Sequence, residues 1–270
     1  MKTRKSTLAL FVALLFLLGS NLACGLPFMQ SPTATPMNTP IPTDTITPFP
    51  TNTDTPLPTS TNTPEPPTAT STPNLKATQA AQQEQTARDE LTLLKLPSDT
   101  GHLDWHQDEA IALTLEGLNW KWKSFGDNVS AADFVLYSEM TWKTNGWPVC
   151  GAWFRGDKRW DKGDFYALQF LRFSGLPAWD IEYYKGGEIT SIVSEQVRFS
   201  KYLSIQNGAT NKFALAANGN EFKVFINDTF IGRYYDYSSK LTQGSFAFIA
   251  SQESGDTTCT FDNSWVWVYK

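Results

Sequence analysis

Histidine, cysteine and methionine are scarce in this sequence, with two, three and four copies among 270 residues. A Ser-His-Asp or Cys-His site would have to use one of the two histidines, and no Gly-x-Ser-x-Gly motif accompanies them. No His-Glu-x-x-His, Cys-x-x-Cys or glycine-rich phosphate loop occurs either, so we expect no cofactor and no bound metal. Acidic residues outnumber basic ones by 27 to 22, a balance that disfavours a nucleic-acid partner.

A metal site has one weak candidate. His102, Asp104, His106 and Asp108 would project to one side of an extended segment, and these side chains are acceptable ligands. The intervening apolar residues give the same segment a buried face, so its polar side needs no metal to explain it. We therefore favour a structural interpretation.

The apolar run Leu8–Leu18 is too short to span a bilayer, which needs about 20 residues. Basic residues precede it, a pattern that predicts a secretory signal peptide over residues 1–23. Asn21-Leu22-Ala23-Cys24-Gly25 resembles the lipobox of bacterial lipoproteins, although Asn21 departs from the preferred Leu. That resemblance implies a lipidated Cys24 and a protein anchored, by this lipid alone, to the outer face of the cell membrane. Simple cleavage after Ala23 is the alternative.

The segment that follows is dominated by two residue types: residues 31–74 contain 12 Pro and 15 Thr among 44 positions. Such a composition predicts a disordered, extended linker over residues 24–74. Residues 75–97 are rich in Ala, Gln, Glu, Lys and Arg, which predicts a short helix. We interpret this helix as a solvated spacer, because its apolar stripe is mostly Ala, with a weak coiled coil as the alternative.

The cysteine count is odd, which leaves one thiol to explain in a secreted protein. If Cys24 carries lipid, Cys150 and Cys259 remain as a pair, and an oxidising compartment permits their disulfide. The alternative is two separately buried thiols.

The period of the apolar pattern changes to two after Pro97. Examples are Ile111-x-Leu113-x-Leu115 and the run Phe134–Trp142, and Asn218-Gly219 between two further strands suits a type I′ hairpin turn. Many short strands over residues 98–270 predict an all-β domain built as a two-sheet antiparallel sandwich. The many aromatic residues would fill the core between the sheets.

The order of landmarks along the chain carries a family resemblance. They include Asp133-Phe134-Val135-Leu136, Gly151-Ala152-Trp153-Phe154-Arg155, Gly219–Asn227 and Phe261–Val268. Residues 100–270 resemble the concanavalin A-like lectin/glucanase superfamily, nearest to its laminin-G-like branch with the 3-keto-disaccharide hydrolase domains. The resemblance implies a jelly-roll sandwich with a concave face, where family members often bind sugars. Fold alone does not confer that function.

Hydrolases of the laminarinase type in this superfamily carry Glu-x-Asp-x-Glu on one strand, which places three carboxylates on one face. The nearest match is Ala178-Trp179-Asp180-Ile181-Glu182, in which Ala178 replaces the first carboxylate. We therefore assign no catalytic residue. Asp180 and Glu182, together with Tyr184, are candidates for binding sugar hydroxyls, and the competing interpretation is a solvated strand face.

Two tryptophans in polar segments are further candidates. Trp147 lies in a turn and Trp160 in a charged segment, where an exposed ring would suit the apolar face of a pyranose. Both could instead cap the sandwich core. Arg155 could orient a ligand, but a surface arginine beside Asp157 or Asp164 is the better interpretation.

Three functions remain open. The first is a non-catalytic surface module, expected to be monomeric, that binds carbohydrate or cell-envelope polysaccharide. The second is a hydrolase of the 3-keto-disaccharide type. The third is a structural or adhesive protein with a protein partner, and one form of this hypothesis is self-association through residues 75–96.

Overall fold

Fifteen strands and one helix make up the part of the chain that the computed structural model describes, residues 75–238 and 240–269. The helix is α1 (Leu75–Leu93). The first sheet contains β1 (His102–His106), β2 (Ile111–Glu116), β5 (Phe134–Thr144), β11 (Thr210–Asn218), β12 (Glu221–Ile226), β13 (Thr229–Tyr235) and β15 (Asp256–Val268). The second sheet contains β3 (Asn119–Ser124), β4 (Ser130–Ala131), β6 (Pro148–Gly156), β7 (Phe165–Phe173), β8 (Leu176–Lys185), β9 (Glu188–Ile192), β10 (Arg198–Phe199) and β14 (Gly244–Gln252).

The strand order confirms the predicted antiparallel jelly-roll sandwich. The first sheet runs β1-β15-β5-β11-β12-β13, with β2 also paired to β15. The second runs β10-β8-β7-β6-β14-β3, with β4 paired to β14 and β9 to β8. Strands β5 and β6 are consecutive along the chain but belong to different sheets, so the chain crosses repeatedly between the two layers.

Alternation along each strand sends one set of side chains into the core between the sheets. In β5, Phe134, Leu136, Met140 and Trp142 are fully buried in that core. Rings from the second sheet meet them, and the centroids of Phe134 and Phe246 lie 4.7 Å apart in an edge-on arrangement. The aromatic residues therefore fill the space between the layers as the sequence predicted.

The predicted disulfide between Cys150 and Cys259 is confirmed. Cys150 belongs to β6 of the second sheet and Cys259 to β15 of the first, and both are fully buried. The bond therefore links the two layers through the core.

The hairpin predicted around Asn218-Gly219 forms, but it uses a different turn. Asn218 is a paired strand residue, and the loop is Gly219-Asn220. The expectation of a type I′ turn at Asn218-Gly219 was therefore wrong. Gly219 takes the positive φ of 55° at the first loop position, as in a type II′ turn.

The helix differs from the predicted solvated spacer. Ala87, Leu91 and Leu94 are buried against the outer face of the first sheet, where Trp265 and Trp267 are also buried. The Arg88 guanidinium lies 4.6 Å from the Trp267 ring centroid. The small side chains of the stripe allow close approach to these large rings, so the helix docks where composition alone suggested a solvent-exposed element.

The segment that contains both histidines is irregular. The register shifts between Leu103 and Trp105, and Nδ1 of His106 lies 3.2 Å from the side-chain amide nitrogen of Gln83 on the helix. In residues 75–238 and 240–269, no group of three or more His, Cys, Asp and Glu side chains is placed to hold a metal ion.

No helix within those ranges has both the length and the apolar character to cross a membrane. The predicted signal peptide, Cys24 and linker lie outside the described residues.

Replacing both Cys150 and Cys259 by Ala should lower the free energy of unfolding by about 4 kcal/mol, because the unfolded chain loses the constraint on a long loop. Urea unfolding monitored by circular dichroism measures the change. A Cys24→Ser variant, which leaves the bond intact, is the control. Equal unfolding midpoints for all three proteins would contradict the stabilising role.

Helix docking has a matched pair of test positions. Leu91→Ala should lower the free energy of unfolding by about 2–4 kcal/mol because the buried side chain leaves a cavity. Leu93→Ala, at a position 56% exposed, should change it by less than about 0.5 kcal/mol. Small effects at both positions in urea unfolding would indicate a solvated helix instead.

Candidate functional site

The outer face of the second sheet carries a groove. The register places Asp180 of β8 opposite Gln169 of β7, Gln169 opposite Gly151 of β6, Gly151 opposite Ile249 of β14, and Ile249 opposite Trp122 of β3. Because side chains alternate, these residues share the outer face. Five adjacent strands therefore build one continuous surface, with acidic residues towards one side and tryptophans towards the other.

Two hollows adjoin along this face. The first, with a volume of about 160 Å³, lies between Trp120, Trp153, Gln169 and Tyr184. The second, about 470 Å³, extends from Trp120 to Trp147. They share Trp120, Val149 and Ser251, so together they form a single trough, called here the tryptophan groove.

Small residues lie on the same face near the groove. A Cβ atom added to Gly151 would lie 2.1 Å from the carbonyl oxygen of Leu168, so this position cannot carry a side chain. Ala167 and Ala247 pair with Trp153 across the neighbouring strands and are buried in its aromatic cluster. Their small size leaves room for the large rings of that cluster.

Aromatic rings build the wall of the groove. Trp120 and Trp122 of β3 are 43% and 39% exposed, and their ring centroids are 4.9 Å apart and nearly parallel. Trp153 lies 5.9 Å from Trp120 and also contacts Trp160 and Phe165. The exposed pair is therefore held by a buried aromatic cluster, which restricts its motion.

Sequence reasoning missed Trp120 and Trp122. The signal is present in Asn119-Trp-Lys-Trp-Lys-Ser124, where alternation puts both rings on one side of a strand and both lysines on the other. Lys121 Nζ donates a hydrogen bond to the Thr114 carbonyl, away from the groove. The sequence analysis assigned the aromatic residues in general to the core, because the sequence does not reveal which face of a strand lies outside.

The acidic candidates share the outer face but are buried and do not line either hollow. Asp180 and Glu182 are only 3% and 8% exposed, so the interpretation as a solvated strand face was wrong. Strands β9 and β10 pair with β8 in the same sheet, so β8 is not an edge strand. Oδ1 of Asp180 is buried and has no hydrogen-bond partner among the described residues.

Glu182 anchors a hydrogen-bond network that reaches the groove. The Gln169 side-chain amide donates to Glu182 Oε2 and, at 3.2 Å, to the Tyr184 hydroxyl. That hydroxyl in turn donates to Glu182 Oε2 at 3.0 Å. Gln169 and Tyr184 line the first hollow, so Glu182 fixes the polar groups that a ligand would meet.

Burial changes the protonation of this cluster. Desolvation, followed by the proximity of Glu182, raises the pKa of Asp180 to about 8. Desolvation also raises the pKa of Glu182, and the hydrogen bonds from Tyr184 and Gln169 oppose it. Burial raises the pKa of Tyr184 as well, which keeps its hydroxyl neutral and able to donate.

Trp160 lies in the groove wall but is not the exposed ring that its polar neighbours suggested. It is 3% exposed, and its ring packs against Gly156, where an added Cβ would lie 2.1 Å from the ring. Its Nε1 donates to Ser124 Oγ at 2.9 Å. Only part of the ring therefore borders the first hollow.

Arg155 is buried at 2% exposure, so the interpretation as a surface arginine beside Asp157 or Asp164 was wrong, and it lies outside the tryptophan groove. Its guanidinium donates to the carbonyl oxygens of Ala132 and Leu241, and Asp133 lies 3.8 Å away. Desolvation lowers its pKa from the ordinary value. These contacts give Arg155 a structural role in joining loops.

Trp147 agrees with its sequence interpretation as an exposed turn residue. It is 42% exposed and lines the second hollow, and Phe173 packs edge-on against it at 6.4 Å.

Comparisons with known proteins agree with this architecture. No protein-family model matches the chain, and no curated protein matches it. Among solved structures, the carbohydrate-binding module CBM66 from Bacillus subtilis is 17% identical, with a TM-score of 0.44 over 57% of this chain and 85% of that one. A β-glucanase from Bacillus licheniformis is 10% identical, with a TM-score of 0.43 over 64% and 87%. Sheep galectin-11 in complex with glycerol is 13% identical, with a TM-score of 0.33 over 53% and 98%.

The strand order by itself shows the antiparallel two-sheet jelly-roll sandwich that the sequence predicted. A fold alone does not confer a function.

The Asp180 carboxyl predicts a pH dependence of stability. The unfolded chain releases this proton near pH 4, whereas the folded chain keeps it up to about pH 8. Between these values the unfolded state binds fewer protons, so stability should fall as the pH rises through this window. Asp180→Asn should flatten that decline, because the amide cannot ionise.

Urea unfolding midpoints between pH 5 and 9 measure this effect. Asp108→Asn, at an exposed position, is the control and should keep the wild-type slope. A wild-type slope in Asp180→Asn would show that Asp180 ionises normally.

Proposed function

We propose that this protein binds carbohydrate, without catalysis, in the tryptophan groove on the outer face of its second sheet. The observation that carries the proposal is the half-exposed Trp120, which lines one hollow with the polar pair Gln169 and Tyr184 and has Trp122 stacked against it. A pyranose has an apolar C–H face and a rim of hydroxyl groups. Rings suit the first and hydrogen-bonding side chains suit the second.

Pre-organisation supports binding in this groove. Trp153 holds the exposed tryptophans, and Glu182 holds Gln169 and Tyr184. Side chains that are already ordered lose little entropy when a ligand binds, so a shallow groove can reach useful affinity.

The two outer faces of the sandwich have different roles in this proposal. Helix α1, through which the described part of the chain begins, docks on the first sheet, and the groove lies on the second. The groove therefore lies on the face opposite the docked helix. We propose in addition that a lipid on Cys24 anchors the protein outside the cell.

The carboxylates favour binding over hydrolysis. Glycoside hydrolysis needs two carboxyl groups flanking the bond. Ala178 occupies the position of the first carboxylate of the hydrolase motif and has no carboxyl group. Asp180 and Glu182 are buried and are not among the residues that line the groove. The hydrolase and adhesive alternatives become outcomes of the binding test.

A polysaccharide and glycan binding screen with the purified full chain tests the proposal. Trp120→Ala and Trp122→Ala should each weaken the binding found by about tenfold, a typical loss for a central aromatic contact. Tyr237→Ala is the control, because this ring is 85% exposed and lies after β13 of the first sheet. Its affinity should remain unchanged.

Three results would redirect the assignment. Equal binding by the wild-type protein and the tryptophan variants would show that the groove is not the binding site. Hydrolysis of a 3-keto glycoside by the wild-type protein, lost in Glu182→Gln, would show that the protein is an enzyme. Absence of any glycan ligand would favour a protein partner.

A further inference from the structure

We propose that the tryptophan groove selects uncharged glycans and discriminates against glycans that carry carboxylate or sulfate groups. The inference rests on the proposed function and specifies its ligand class. Three features of the groove carry it: its charged residues, the direction of its hydrogen bonds and its exposed rings.

The charged side chains that line the groove are acidic. Among the described residues, Asp161 borders the first hollow and Glu253 the second. Glu182 does not line the first hollow but accepts a hydrogen bond from Gln169, which does. An anionic sugar that enters between Asp161 and Glu253 is repelled by both carboxylates.

The hydrogen-bond network leaves acceptors for the ligand. A glutamine amide has two N–H donors, and Gln169 uses them on Glu182 and Tyr184. The Tyr184 hydroxyl uses its own donor on Glu182. The groups that remain are the Gln169 carbonyl oxygen and a lone pair of the Tyr184 hydroxyl, and both accept.

Sugar hydroxyl groups complement such acceptors because each can donate a hydrogen bond. A carboxylate or sulfate group only accepts. Beside Gln169 and Tyr184 it would lose water and receive no hydrogen bond from either side chain in return, which is unfavourable for an anion.

The exposed rings also disfavour the binding of anionic glycans. The face of an indole carries partial negative charge, which attracts polarised C–H groups and repels anions. Trp120 and Trp122 together present such faces along the wall of the groove.

Matched polymers test the inference with the full-length protein. Hydroxyethyl cellulose and carboxymethyl cellulose share a β-1,4-glucan backbone, and yeast mannan and alginate extend the comparison to other backbones. In affinity gel electrophoresis at low salt, we expect at least one neutral polymer to retard the protein about tenfold more strongly than its anionic counterparts. Salt at 1 M should narrow the difference, because it screens the repulsion.

Charge variants separate the groove from the net charge of the whole chain, which is −5. Asp161→Asn combined with Glu253→Gln should raise affinity for the anionic polymers several-fold, and by more than it changes affinity for the neutral polymers. Asp89→Asn combined with Asp262→Asn changes the net charge equally, at exposed positions on the helix and the first sheet. This control pair should have no such effect.

The outcomes distinguish this inference from the proposed function. Trp120-dependent binding of an anionic polymer as strong as that of the neutral polymers would overturn the selectivity and keep the binding site. Equal gains from both charge pairs would assign the discrimination to net charge and also overturn it. Retardation by no polymer, neutral or anionic, would overturn both proposals.

Discussion

Aromatic side chains point to both sides of the two sheets, so packing the sheets against each other covers only part of them. The inner set forms the core. On the first sheet, Tyr137, Trp265 and Trp267 remain on the outside and are covered by helix α1. On the second sheet, a cluster around Trp153 and Phe165 is covered only partly, by the Trp160 segment and by its own neighbours. The need to cover apolar surface therefore determines what packs on the outer face of each sheet.

The groove is the incompletely covered part of that second outer face. Its exposed rings continue a buried aromatic cluster, and its polar groups continue a buried hydrogen-bond network. Glu182 is costly to bury, and its bonds to Gln169 and Tyr184 offset part of that cost. Through the same bonds it determines which atoms of these side chains face the ligand. Packing energetics and ligand recognition are thus properties of the same residues.

Local patterns in the sequence predicted the strands, the sandwich and the inter-sheet bond, because each depends on short-range periodicity or on elimination. Alternation in Phe134–Trp142 identified a core strand correctly, and the two remaining cysteines did pair. The predicted exposure of side chains was wrong where contacts between distant parts of the chain determine burial. Trp160 and Arg155 lie in polar segments, yet Trp153 and Gly156 cover the first and the Ala132 and Leu241 carbonyls bind the second. Polar neighbours in sequence say little about which distant strand lies above a side chain.

The sequence by itself determined the fold class, the strand periodicity and the existence of the helix, since side-chain alternation and helix propensity are local properties. It also paired Asp180 with Glu182 on one face of a strand. Tertiary structure alone decided that these two carboxyl groups are buried, that α1 docks on the opposite sheet, and that Trp120 lies in one hollow with Gln169 and Tyr184. The reason is physical. Which side of a strand becomes core, groove or solvent-exposed surface depends on the strands, helices and loops that pack on it, and these come from distant parts of the chain.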